Sequence, residues 1–123
     1  MEINCVRIGK VAVIALADNF REENIPQFEE RFQEMYRKGF QYFLIDMLDL
    51  DFICSAGMRA ILKAYKQLMS TNGQLRLVRP TPQVFTPFET THLDEVFDFY
   101  MTASDAILEW LQEPYEKQSK SRG

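Results

Sequence analysis

The chain has 123 residues, with 14 Lys and Arg against 18 Asp and Glu, a formal net charge of −4. This length suits one compact domain whose core needs no metal or disulfide to hold it. A net acidic chain does not favour nucleic-acid binding, which needs a concentrated basic face. A single histidine does not supply a multi-ligand zinc site, so we predict neither metal nor other cofactor.

The N-terminal half predicts a hairpin, a helix and a further strand. Val11–Leu16 is a short apolar run rich in β-branched residues, typical of a buried strand, and Gly9-Lys10 predicts a tight turn from a first strand at 4–8. From Ile25 the apolar residues recur at steps of three and four, which favours an amphipathic helix ending at Gly39. Residues 40–46 then form a strand.

The second half alternates helices and strands. A helix opens near Ser55 and stops at Asn72-Gly73, and strands are predicted at 74–79 and 96–100 with a short helix at 82–90 between them. An amphipathic helix at 103–111, with Thr102 or Ser104 near its cap, closes the domain. Together the elements predict an α/β fold, a mostly parallel sheet with an antiparallel N-terminal hairpin at its edge and about four helices.

The link from Asp46 to Met58 is the candidate site, because functional residues of parallel sheets gather where a strand passes to a helix N-terminus. Ser55 stands where the helical periodicity begins. As an N-cap it would have a structural role worth about 1 kcal/mol. Asp46, Asp49 and Asp51 make this stretch acidic.

The sequence DMLDLDFICSAGM at 46–58 resembles the signature of the STAS domain, found in bacterial anti-sigma factor antagonists. The similarity continues at 73–78, 88–93, 97–100 and 104–107, and so covers about residues 11–111. It implies a STAS fold at 1–112. Residues 113–123 are polar and lose the apolar periodicity, so we predict a flexible tail there. It also implies a non-enzymatic protein that regulates transcription by partner switching.

The same resemblance implies that Ser55 is the phosphoacceptor. In the family, an anti-sigma factor that is also a serine protein kinase modifies the matching serine and binds only the unmodified protein, and a separate phosphatase, of PP2C type, resets the switch. Met58 and Arg59 are expected to contact the partner from the exposed side, while small Ala56 and Gly57 let it approach the helix end. The partner-binding residues that the resemblance implies are Cys54, Ala56, Gly57, Met58, Arg59 and Arg21.

Two other interpretations remain. A STAS docking or scaffold module without phosphorylation would use exposed apolar side chains around Phe52, Ile53 and Met58. The spacing from Cys54 to Arg59 also fits a rhodanese-like sulfurtransferase loop, in which a cysteine thiolate attacks sulfur.

The expected location is the cytoplasm. The N-terminus shows no basic stretch followed by a long apolar run, so the sequence predicts no signal peptide. The apolar runs fall short of the about 20 residues that a membrane span needs, so no membrane insertion is expected.

Overall fold

The computed structural model describes residues 1–111, in which helices and strands alternate after an N-terminal hairpin. The predicted tail at 113–123 lies outside the described residues. The elements are β1 (Glu2–Ile8), β2 (Val11–Phe20), α1 (Ile25–Arg37), β3 (Tyr42–Ile53), α2 (Ser55–Met69), β4 (Gln74–Val78), α3 (Pro82–Thr90), β5 (Asp98–Tyr100) and α4 (103–111). Single 3₁₀ turns at Glu22–Asn24 and Leu93–Glu95 precede α1 and β5.

The five strands form one sheet in sequence order, β1-β2-β3-β4-β5. β1 and β2 pair antiparallel through the turn at Gly9-Lys10, and the remaining pairs are parallel. The predicted mixed sheet with an antiparallel hairpin edge and four helices is therefore confirmed.

Helices cover both faces of the sheet, because alternate strand side chains point to opposite sides. One face packs against α1, α2 and α3 through large side chains such as Phe28, Ile61 and Phe88. The other face packs against α4, where Ala106, Ile107 and Trp110 lie on residues of β2, β3 and β4.

Arg76 of β4 points to the α4 face and is only 6% exposed. Its guanidinium lies 4.3 Å from the centre of the Trp110 ring and 5.2 Å from that of Tyr100. Nη1 donates a 2.8 Å hydrogen bond to the carbonyl of Ala106, and Nη2 forms an ion pair with Glu109. These contacts of the Arg76 guanidinium therefore link α4 to β4.

The two strands that lead to the candidate site run further than the sequence patterns predict. β2 continues to Phe20 and β3 to Ile53, and the two remain paired over this length with register shifts after Ala15 and after Asp18. Asp18 takes a positive φ of 72° at the second shift. These irregularities break the alternation of apolar residues, which is why the strand pattern ends early. The last strand is shorter than predicted, because Val96 and Phe97 continue the turn after Leu93–Glu95, with the N–H groups of both bonded to the carbonyl of Leu93.

Candidate functional site

The long β2–β3 pair carries the chain directly to the start of α2. Cys54 N donates a 3.0 Å hydrogen bond to the carbonyl of Phe20, so the last residue of β2 fixes the residue before the helix. Ser55 is then the first residue of α2, and its side chain is exposed. Pairing with β2 therefore holds the chain in place as far as Cys54, and this defines the position of Ser55.

The N-cap of α2 is Cys54, and the interpretation of Ser55 as the cap is wrong. Cys54 has an extended backbone (φ −86°, ψ 168°), and its Sγ accepts a 3.3 Å hydrogen bond from Gly57 N. Within residues 1–111, no hydrogen bond involves the Ser55 hydroxyl. Because the Cys54 thiol caps the helix, the Ser55 hydroxyl takes no part in capping α2.

Gly57 and Met58 face the core, which corrects the expected partner contacts. A Cβ at Gly57 would lie 3.1 Å from both Phe20 Cγ and Ile53 Cγ1, so the glycine lets α2 approach the end of the β2–β3 pair. Met58 is 3% exposed, because the helical repeat turns it toward the sheet. Of the other predicted contact residues in α2, Ala56 is half-buried and Arg59 is exposed.

The structure brings Arg21 to the same end of the sheet. Its guanidinium lies 5.0 Å from the centre of the Phe52 ring, a cation–π contact between the ends of β2 and β3. Phe52 is 42% exposed and Leu48 is 47% exposed, whereas Ile53 is buried. Of the three side chains predicted to form the apolar patch, Phe52 is exposed whereas Ile53 and Met58 are buried. Leu48 is a further exposed apolar side chain of β3 that the sequence did not single out.

The surface around Ser55 is acidic. Asp18, Asp49 and Asp51 are exposed on the extended strand pair, and Glu22 and Glu23 are exposed on the turn that contacts α2. Within residues 18–23 and 49–59 these five exposed carboxylates outnumber the two exposed cations, Arg21 and Arg59. A partner that docks here meets a net negative surface.

Asp46, by contrast, has a structural partner. Arg79 donates hydrogen bonds to both carboxylate oxygens of Asp46, from Nη2 at 2.6 Å and from Nε at 3.3 Å. This hydrogen-bonded carboxylate raises the pKa of Arg79 above its ordinary value. Asp46 Oδ1 also accepts a 3.1 Å hydrogen bond from Leu48 N. Asp46 is the last residue of β3 that pairs with β4. The ion pair therefore holds the start of the strand extension.

Neither a metal centre nor a membrane helix emerges from the described part of the chain. Residues 1–111 contain no cluster of three or more His, Cys, Asp or Glu side chains that could hold a metal ion. None of their helices is both long and apolar enough to cross a membrane.

The architecture and the sequence comparisons together define the class of protein. A five-stranded mixed sheet with four helices is the fold of anti-sigma factor antagonists of known structure. A profile of the STAS domain matches residues 2–106, and the chain therefore belongs to the STAS domain family, as its sequence resemblance predicts. This is the domain of anti-sigma factor antagonists, a regulatory and non-enzymatic family.

Similar proteins come from several bacteria. A relative from Bordetella bronchiseptica named as an anti-sigma factor antagonist, BtrV, is 29% identical over 97 residues, covering 79% of this chain and 84% of the relative. The crystal structure of an anti-sigma factor antagonist from Thermotoga maritima superposes with a TM-score of 0.82 at 25% identity, covering 87% of this chain and 92% of that one. The Bacillus protein SpoIIAA shares the fold in its unphosphorylated form, with a TM-score of 0.78 at 18% identity and coverage of 91% and 97%.

Proposed function

We propose that this protein is a cytoplasmic anti-sigma factor antagonist whose partner is an anti-sigma factor with serine protein kinase activity. With Ser55 unmodified, it binds the anti-sigma factor and frees the sigma factor. Phosphorylation of Ser55 releases the partner, and a PP2C-type phosphatase restores the binding form. The observation that carries the proposal is the exposed Ser55 hydroxyl at the start of α2, which forms no hydrogen bond with any described residue of the chain.

The position of Ser55 accommodates a phosphate without a change of fold. The N-terminus of a helix carries a partial positive charge, and its first N–H groups lack acceptors within the helix. α2 is 15 residues long, and its cap is a thiol rather than a carboxylate. A phosphate on Ser55 adds about −1.5 to −2 charges close to these donors, where an anion is stabilised.

The surrounding charges explain how one phosphate can change partner binding. A docked partner covers Ser55 together with the acidic side chains Asp49 and Asp51. These carboxylates are stable in the interface only if cations of the partner or water molecules surround them. A further double charge must then be buried or paired within the interface. Switching a partner from 99% bound to 1% bound requires about 5.5 kcal/mol of differential binding.

The test combines kinase assays with binding measurements on matched variants. Incubation with ATP and a co-encoded serine kinase should add one phosphate, and Ser55→Ala should abolish it. Ser104→Ala is the control, because Ser104 is also exposed in the first turn of a helix, α4, whose start Thr102 caps through a 3.1 Å hydrogen bond from Asp105 N. Phosphate that remains on the Ser55→Ala variant, or none on the wild type with every co-encoded kinase, contradicts the proposal.

A second candidate is a docking module that does not respond to phosphorylation. The exposed side chain of Phe52, three residues before Ser55, favours it, since it offers apolar contact area to a partner, as does Leu48 earlier in the same strand. In that case Phe52→Ala weakens partner binding and Ser55→Asp leaves it nearly unchanged. For the phosphorylation switch, Ser55→Asp should weaken binding at least about tenfold, because it adds a charge to the covered surface.

A further inference from the structure

The first strand, β1, has an outer edge that no other strand of residues 1–111 pairs with. β1 lies at the end of the sheet order and pairs only with β2. Because a two-residue turn joins these strands, Ile8 and Val11 form a hydrogen-bonded pair, and such pairs alternate along the hairpin. The backbone N–H and C=O groups of Ile3, Cys5 and Arg7 therefore point away from β2, toward the outer edge.

Helix α1 occupies the first part of this outer edge. Arg31 Nη1 donates a 3.3 Å hydrogen bond to the carbonyl of Ile3. Within residues 1–111, the outward backbone groups of Cys5 and Arg7 form no hydrogen bond. The open part of the edge is thus centred on Val6, and its backbone groups are available to a further strand.

The open part of the edge is apolar on the face that carries α4. Val6 is 55% exposed and Ile8 is 40% exposed, and they stand beside Val13 and Val11 of β2. The two β2 residues are buried in the cluster under α4, whereas their neighbours in β1 remain exposed. An edge strand with exposed apolar side chains is a template for pairing with another chain.

We infer that β1 pairs with β1 of a second copy of this chain, antiparallel about a two-fold axis at Val6. Cys5 of each copy then lies opposite Arg7 of the other, and each such pair exchanges both backbone hydrogen bonds. This register bonds all the backbone groups that the open part of the edge presents. The two Val6 side chains face each other as a close, non-hydrogen-bonded pair on the α4 side of the joined sheets.

The charges and contacts of β1 favour this register over its neighbours. An axis at Arg7 would place the two Arg7 side chains opposite each other, and like charges in that position are destabilising. An axis at Cys5 would place Arg7 opposite Ile3, whose carbonyl already accepts the hydrogen bond from Arg31. The short paired stretch covers less than the about 800 Å² per partner of a stable complex, so the dimer is weak and reversible.

Sedimentation velocity over about a hundredfold range of protein concentration tests this dimer. We expect the wild type to pass from monomer to dimer as the concentration rises. Val6→Lys should weaken dimerisation at least about tenfold, because it places two ammonium groups face to face. Val96→Lys is the matched control, since Val96 is an exposed valine just before β5, at the other end of the sheet. It should change the dimerisation constant less than about twofold.

Disulfide cross-linking tests the register. In a Cys5→Ala background, Val6→Cys places two thiols opposite each other with about 4.5 Å between their Cα atoms, which is within the range of a disulfide. Oxidation with diamide should then give a covalent dimer on a non-reducing gel. Val96→Cys in the same background is the control and should stay monomeric on the gel.

A wild type that sediments as a monomer at every concentration would overturn the inference and leave the edge to a different extended chain. Dimerisation that Val6→Lys leaves unchanged, or that Val96→Lys weakens equally, would also overturn it. A Val6→Cys variant that gives no covalent dimer would contradict the register. Circular dichroism should show an unchanged fold, because both positions are exposed. Ser55→Ala should dimerise like the wild type, so failure of the dimer and failure of the proposed phosphorylation switch are distinguishable.

Discussion

Alanine substitution of Cys54 and Ser55, one at a time, measures which side chain caps α2. The removal of an oxygen N-cap typically costs about 1 kcal/mol, and sulfur is a weaker acceptor. We therefore expect Cys54→Ala to lower the free energy of unfolding by about 0.5–1 kcal/mol through loss of the bond to Gly57 N. Ser55→Ala should change it by less than about 0.5 kcal/mol, because the hydroxyl makes no hydrogen bond within residues 1–111.

Urea denaturation of the two variants and the wild type measures these free energies of unfolding. In thermal unfolding, a loss of 1 kcal/mol corresponds to a decrease of roughly 3–5 °C in Tm for a domain of this size. Cys54→Ser, which restores an acceptor, should recover most of the loss. Ser55→Asp should be neutral or stabilising by about 0.3–1 kcal/mol, because it places a negative charge at the positive end of α2. A full capping loss in Ser55→Ala, with none in Cys54→Ala, would refute the assignment of the cap and with it the argument that the hydroxyl is free.

Three further predictions concern the stability of the domain. Gly73→Ala should destabilise it by about 1–3 kcal/mol in urea denaturation, because the new Cβ would lie 2.6 Å from the carbonyl oxygen of Gln41. Arg76→Ala should cost about 2–3 kcal/mol and shift the fluorescence of Trp110 to longer wavelength, because α4 loses the hydrogen bond and the cation–π contact that Arg76 makes with it. Burial raises the pKa of the Cys5 thiol, so its alkylation at pH 8 should be slower in the folded than in the unfolded protein. The sign of this shift means that the Cys5 contribution to stability is present below the ordinary thiol pKa and decreases as pH rises past it, which a Cys5→Ala variant should not show.

Local patterns predicted the helices well and the strands only in part. The three- and four-residue spacing from Ile25 corresponds to α1, and Gly39 follows its end. By contrast, β3 runs to Ile53 because it pairs with β2 through two register shifts, and such pairing depends on residues more than 30 positions apart. No local repeat marks such a strand, since each shift turns the following side chains to the other face.

The candidate site was found by its sequence motif, but its internal roles were assigned by the structure. The motif located Ser55, and its exposure agrees with a modification site. The burial of Met58 depends on how α2 is rotated against the sheet, and the cap depends on the backbone of Cys54, which the pairing with Phe20 holds extended. Neither property can be derived from the order of residues alone.

The sequence by itself determined the family, the order of the elements and the serine on which the proposed switch depends, because these follow from short-range periodicity and a contiguous motif. The tertiary structure decided which side chain caps α2, which apolar side chains of β3 remain exposed, and that Met58 is buried. Those outcomes depend on long-range strand pairing and on how the helices pack, which bring together residues that are distant in the chain.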